Sequence, residues 1–148
     1  MKDILIFMSL ITSMLLMSCS TDDVDSTDIP AVKPPKWSVV NCDGFEYNMS
    51  AIVLLPQMLR SMESDNDELA VFCGEECRGT AERMQINSQK SVWMMLVYGD
   101  NEDELYFKYY SHHNKSMYVD TGYFVFDGNG KYGTVDEPVV LSLEMYYN

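Results

Sequence analysis

Ser91–Tyr110 reads SVWMMLVYGDNEDELYFKYY, two apolar arms around a polar turn at Gly99-Asp100-Asn101-Glu102-Asp103. Both arms alternate with a period of two and are rich in aromatic and branched residues, the pattern of β-strands rather than helices. Taken as a hairpin with Tyr98 opposite Glu104, one face carries Trp93, Met95 and Val97 against Leu105, Phe107 and Tyr109, a credible core. The other carries Met94, Leu96 and Tyr98 against Tyr106, Lys108 and Tyr110. That second face is apolar and aromatic for a solvated surface, so it is either an interaction surface or covered by another strand or the N-terminal segment.

The same reading extends outward. Strands are expected at 36–40, 45–54, 68–73, 77–86, 91–98, 104–110, 116–119, 122–126 and 139–145, separated by Gly, Asn and Asp clusters. Pro56–Ser64 is expected to be a loop with one helical turn at most. No window sustains a helical period over three turns and no internal repeat is present. The expected fold is all-β, an antiparallel sandwich of jelly-roll or immunoglobulin-like type, formed by one domain over residues 37–148.

The N-terminus is of a different kind. Lys2 is followed by an apolar run of 14 residues, Ile4–Met17, which has signal-peptide length and falls short of the roughly 20 residues a membrane-spanning helix needs. Residues 1–18 are therefore expected to be removed. Leu16-Met17-Ser18-Cys19 resembles a bacterial lipobox, in which the cysteine is acylated and becomes the new N-terminus; Met17 is its looser position. The resemblance implies a membrane anchor at Cys19, and two or three acyl chains suffice for stable attachment. Ser20–Asp25 (STDDVD) resembles the acidic signal that sends Bacteroidota lipoproteins to the outer face of the outer membrane, and Asp25-Ser26-Thr27 resembles that phylum's O-glycosylation triplet. Both stretches also suit a plain solvated linker. Residues 19–36, with Pro30, Pro34 and Pro35, are expected to form a flexible acidic tether.

Charge excludes one class of partner. The chain carries a formal −13, and losing residues 1–18 removes one Lys and one Asp, so the balance stands. A nucleic-acid partner demands a basic footprint that this composition lacks.

Candidate chemistry is sparse. The only histidines, His112 and His113, are adjacent in a polar turn and point opposite ways on an extended chain, which disfavours a nucleophilic triad. Acidic clusters at Asp65–Glu68, Asp100–Glu104 and Asp127–Gly130 lack the spacing of a contiguous calcium loop and are expected to be solvated turns. A glycosidase pair has no cleft to support it. No enzyme activity, cofactor or metal site is expected.

Four cysteines become three once Cys19 is assigned to lipid, an odd number. Cys73-Gly74-Glu75-Glu76-Cys77 reads as a hairpin tip that sets Cys73 opposite Cys77, a feasible but strained disulfide. Closing so small a loop contributes less than the roughly 3 kcal/mol estimated for longer ones. Pairing of Cys42 with either, or three packed thiols, remain open.

Several motifs resemble those of a β-sandwich domain found in secreted and surface-anchored proteins of the Bacteroidota. They are Asp67–Phe72, Gly74, Glu76–Ala81 (ECRGTA), Val97–Asp100, Phe107–Tyr110 and Gly133–Pro138 (GTVDEP), and the resemblance spans most of Trp37–Leu143. It implies a small non-catalytic module carried by surface or adhesin-like proteins, with no catalytic residue to transfer. Cys73 departs from the apolar residue usual there. The expectation is a surface-exposed outer-membrane lipoprotein with a binding module for carbohydrate or nutrient capture. Tyr98, Tyr106 and Tyr110 are its candidate ligand-binding aromatics, joined by Trp93 if the register differs. The alternative is a protein-interaction or structural subunit of an adhesin or envelope assembly.

Overall fold

Every second side chain from Met49 to Leu55 is buried, as period-two alternation demands of a strand with one face on a core. The computed structural model describes residues 31–147. A 3-10 turn at Cys42–Gly44 leads into β1 (Tyr47–Leu54), then a one-turn helix α1 (Gln57–Arg60), β2 (Glu68–Cys73), β3 (Glu76–Thr80) and β4 (Glu82–Asn87). There follow β5 (Lys90–Gly99), β6 (Glu104–Ser111), β7 (Ser116–Asp120), β8 (Phe124–Val125), β9 (Lys131–Tyr132), β10 (Val139–Val140) and β11 (Leu143–Met145). Sheet A runs β10-β1-β5-β4, with β9 also on β1; sheet B runs β11-β7-β6-β2-β3, with β8 on β6. The two sheets pack face to face as an all-β sandwich.

The strands of Ser91–Tyr110 are correctly placed, but they do not form a hairpin. β5 pairs with β1 and β4, whereas β6 pairs with β2 and β7, so the Gly99–Asp103 turn carries the chain from one sheet to the other. Trp93, Met95 and Val97 still meet Leu105, Phe107 and Tyr109 in the core, across the sandwich instead of along a ladder. Parity survives because each arm buries the same alternate residues whichever sheet it joins. The opposite parity is consequently split, with Met94, Leu96 and Tyr98 on the outside of sheet A and Tyr106, Lys108 and Tyr110 on the outside of sheet B.

The expected strand at 77–86 is one continuous extended run that changes sheet at Ala81: β3 belongs to sheet B and β4 to sheet A. Strand switching of this kind makes the corners of sandwiches. Gly79 permits it, because a Cβ there would stand 2.5 Å from the Leu96 carbonyl oxygen of β5. At the far edge of sheet A, β9 and β10 lie parallel to β1. Between them Gly133 has φ 80°, and a Cβ would sit against the Ile52 carbonyl. The expected strand at 139–145 is likewise divided between the sheets, with buried Leu141 between the halves. The expected strand at 122–126 shrinks to β8, and β9 forms in a stretch whose pattern predicts no strand. Residues 36–40, expected to form a strand, join no ladder, and the chain bends at Val40.

The core is aromatic as well as aliphatic. Phe107, Phe124 and Tyr132 stack with centroids 4.0–6.0 Å apart, and Trp93 meets Tyr109 edge-on at 6.1 Å. Buried Asp67 ties the α1–β2 loop to sheet B. It accepts bonds from the Tyr109 hydroxyl (2.6 Å), the Ser64 amide and hydroxyl (2.8 and 2.9 Å) and the His112 amide (2.7 Å). Asp103 similarly caps the Asp100 amide at 3.0 Å. The acidic turns thus supply side-chain acceptors for backbone amides.

Candidate functional site

The outside of sheet B is not bare. Residues 31–40 lie across it as a strap: the Val32 amide donates to the Lys115 carbonyl (2.8 Å), the Tyr110 hydroxyl donates to the Val32 carbonyl (3.0 Å), and Trp37 packs edge-on against Phe72 at 5.5 Å. Within the described part of the expected tether, residues 31–36, Val32 is bonded to sheet B while Ala31, Lys33, Pro34 and Lys36 are exposed. The strap leaves Tyr110 only 1 % exposed, and burial, then the carboxylates of Glu68 and Asp67, push its phenol up. Burial also raises Glu68, partly offset by the Trp37 amide.

Beside the strap a groove of about 420 Å³ stays open, lined chiefly by Trp37, Glu75, Tyr106, Lys108, Val119 and Tyr146. Its walls are held in place. The Tyr106 hydroxyl donates to the Gly74 carbonyl at 2.7 Å. The Lys108 ammonium sits 4.5 Å from the Phe72 ring centroid and 5.4 Å from that of Tyr106, and 3.4 Å from the Glu75 carboxylate. A rigid phenol, an indole and a cation–carboxylate pair at a groove this size suit a small hydroxylated molecule.

The four expected aromatics do not form one site. Trp93 is a core residue, 1 % exposed, whose indole N–H donates to Glu63 at 2.9 Å. Tyr110 is buried beneath the strap. Tyr98 lies on sheet A, across the sandwich from Tyr106, in a shallow groove with Ile52, Met84, Met94 and Leu96. Only Tyr106 lines the groove on sheet B. Its partners Trp37 and Tyr146 went unrecognised: Trp37 sits at the end of a proline-rich stretch that reads as linker, and Tyr146 follows a strand too short to show alternation. A tryptophan directly after a linker was the available signal, since a large aromatic seldom stays free of the adjoining fold.

Cys42, Cys73 and Cys77 are free thiols, and the expected Cys73–Cys77 disulfide is absent. A bulge between Val71 and Phe72 shifts the register, so Cys77 lies opposite Phe72 and Cys73 opposite Glu76. The two thiols consequently point to opposite faces of the hairpin. Cys73 faces inward, where burial, then the Asp103 carboxylate, push its thiol up. Burial raises Cys77 as well, against its contact with the Gly79 carbonyl. Neither has the lowered pKa of a reactive thiol. Arg78, in β3, is buried under Phe45 with its guanidinium centre 4.3 Å from the ring centroid. The carboxylates of Glu76 and Asp103 lie 3.3 and 3.2 Å away but off the N–H axes, so charge rather than directed hydrogen bonding pairs them.

His112 and His113 are exposed in the β6–β7 turn. Among the described residues no three His, Cys, Asp or Glu side chains converge as a metal-binding set, and no helix is long and apolar enough to cross a membrane. Cys19 lies outside the described residues. No protein-family model, curated protein or solved structure matches this chain.

Proposed function

We propose that the chain is a surface-exposed outer-membrane lipoprotein, acylated on Cys19, whose sandwich is a non-catalytic module that captures carbohydrate in the groove on sheet B. The observation that carries this reading is the preformed aromatic groove of Trp37, Tyr106 and Tyr146 with the Lys108–Glu75 pair. Aromatic faces take the apolar side of a sugar ring, and the ion pair offers donors and acceptors to its hydroxyls. The chain's lipobox-like Leu16–Cys19 and acidic Ser20–Asp25 support the anchored, surface-exposed location.

A glycan array probed with the full-length protein in detergent micelles tests the binding reading. The expected result is selective binding to one glycan class, weakened about tenfold or more by Tyr146→Ala or Trp37→Ala, in line with loss of one to a few kcal/mol of stacking. Incorporation of labelled palmitate that Cys19→Ser abolishes tests the anchor.

A protein-interaction role is the second reading, favoured by sheet A: Leu96 is 52 % and Met84 45 % exposed beside Met94 and Ile52. Flexible thioethers adapt to varied protein surfaces. Silence across the array, together with loss of complex formation in Leu96→Glu, would support it in place of carbohydrate capture.

A further inference from the structure

In a chain with 23 acidic and 10 basic residues, three of the basic ones, Arg60, Arg83 and Lys90, line a single cleft of about 450 Å³ between α1 and the β4–β5 turn. Ser88 and Gln89 from that turn complete its rim, and Leu54 contributes an apolar wall. This cleft lies on sheet A, apart from the groove of Trp37 and Tyr106.

The floor of the cleft is built rather than incidental. Glu63, its side chain 4 % exposed, accepts from the Trp93 indole (2.9 Å) and the Ser91 hydroxyl (3.0 Å). The same carboxylate stands 3.5 Å from the Arg83 Nε. That nitrogen is buried and its contact with Glu63 is an ion pair rather than a directed hydrogen bond, so it fixes Arg83 in place while the outer guanidinium nitrogens face the cleft's mouth and Asp65. The other Arg83 partner is Asp65, 2.8 Å away with its side chain 91 % exposed, a solvated contact that a competing anion can displace at little cost. Lys90 gives one of its three N–H groups to the Val135 carbonyl at 2.6 Å and keeps two. Arg60 makes no ion pair among the described residues, and its guanidinium is exposed at the rim.

We infer that this cleft is a second binding site, and that it takes a small hydroxylated carboxylate of the uronic-acid class. Two guanidinium groups and an ammonium face a ligand whose carboxylate can accept paired N–H bonds, the geometry at which Arg excels. Ser88 and Gln89 offer both donors and acceptors for hydroxyls, and Leu54 offers an apolar surface for the ring. The surrounding charge of −13 repels anions at long range, so recognition depends on these short contacts.

Calorimetric titration of the full-length protein in micelles with sodium glucuronate, glucose and sodium sulfate tests this. Glucuronate is expected to bind, more weakly as salt rises, while glucose gives no heat. Arg60→Glu is expected to weaken glucuronate about tenfold or more with an unchanged Tm, because Arg60 is exposed and makes no ion pair among the described residues. Trp37→Ala, which alters the groove on sheet B, is expected to leave glucuronate binding intact. The inference is overturned by absence of glucuronate heat, by sulfate binding as tightly as glucuronate, by indifference to Arg60→Glu, or by equal loss in Trp37→Ala.

Discussion

One buried group and one half-buried group make the energetics of single residues testable. The Tyr109 hydroxyl is the shortest of four donors to Asp67, and burial, then that hydrogen bond, push the phenol far up. Tyr109→Phe removes one donor from a buried carboxylate and should cost about 1–3 kcal/mol, read as a lower urea midpoint at unchanged m. Asp120 behaves differently: burial raises its carboxyl despite amides from Gly122, Thr121 and Phe107. A raised folded pKa means that the folded state prefers the protonated form. The charged group therefore costs stability above that pKa, and the cost is relieved as pH falls through it. Asp120→Asn should raise Tm at pH 7 and reduce the gain the wild type shows on mild acidification. A Tm difference between the two proteins that does not shrink as pH falls would contradict this assignment. In both residues the sequence showed a polar group at a strand position but not its surroundings, because burial depends on which strand lies above it.

At the scale of elements, strand positions were legible and strand partners were not. Alternation in Ser91–Val97 and Leu105–Tyr109 identifies the inward residues, yet the same parity serves a hairpin or a pair of facing sheets, and only the distant β1 and β2 decide between them. The β2–β3 hairpin around Gly74-Glu75 does form, but a bulge between Val71 and Phe72 with no marker in the sequence shifts its register by one residue and parts the two cysteines. Mass labelling after unfolding without reductant should therefore find Cys42, Cys73 and Cys77 all alkylated; two missing labels at 73 and 77 would indicate the cross-link. The sheet switch at β3–β4 gives a second expectation. Gly79→Ala should destabilise by about 1–3 kcal/mol, since strand β3 or β5 must move to relieve the contact with the Leu96 carbonyl. Gly122→Ala, with nothing within 4 Å of the new methyl group, should stay within about 0.5 kcal/mol. Urea denaturation of the pair separates steric crowding from a general cost of losing glycine.

Over the whole molecule, the all-β sandwich was readable because the inward positions of the long strands β1, β5 and β6 obey one period. The candidate site was not, since its walls come from strap, hairpin tip and C-terminal tail, segments without periodicity. Of the four aromatics named from the sequence, Tyr106 alone lines the groove, and Trp93 lies on the core face that its alternation predicts, with its indole N–H satisfied by Glu63. The strap also has a mechanical meaning. If the chain is anchored at Cys19 and holds a glycan in the groove as proposed, a pull between the two would reach the domain at Val32, whose bonds to Lys115 and Tyr110 run from the strap to sheet B. These few bonds carry the load before the ladders of β2, β6 and β7 do. Peeling past them lifts Trp37 off Phe72 and opens one wall of the groove, so grip on a ligand should fail under tension while the sandwich stays folded. Attachment and release then share a single short segment, with its breaking point set by two hydrogen bonds and one aromatic contact.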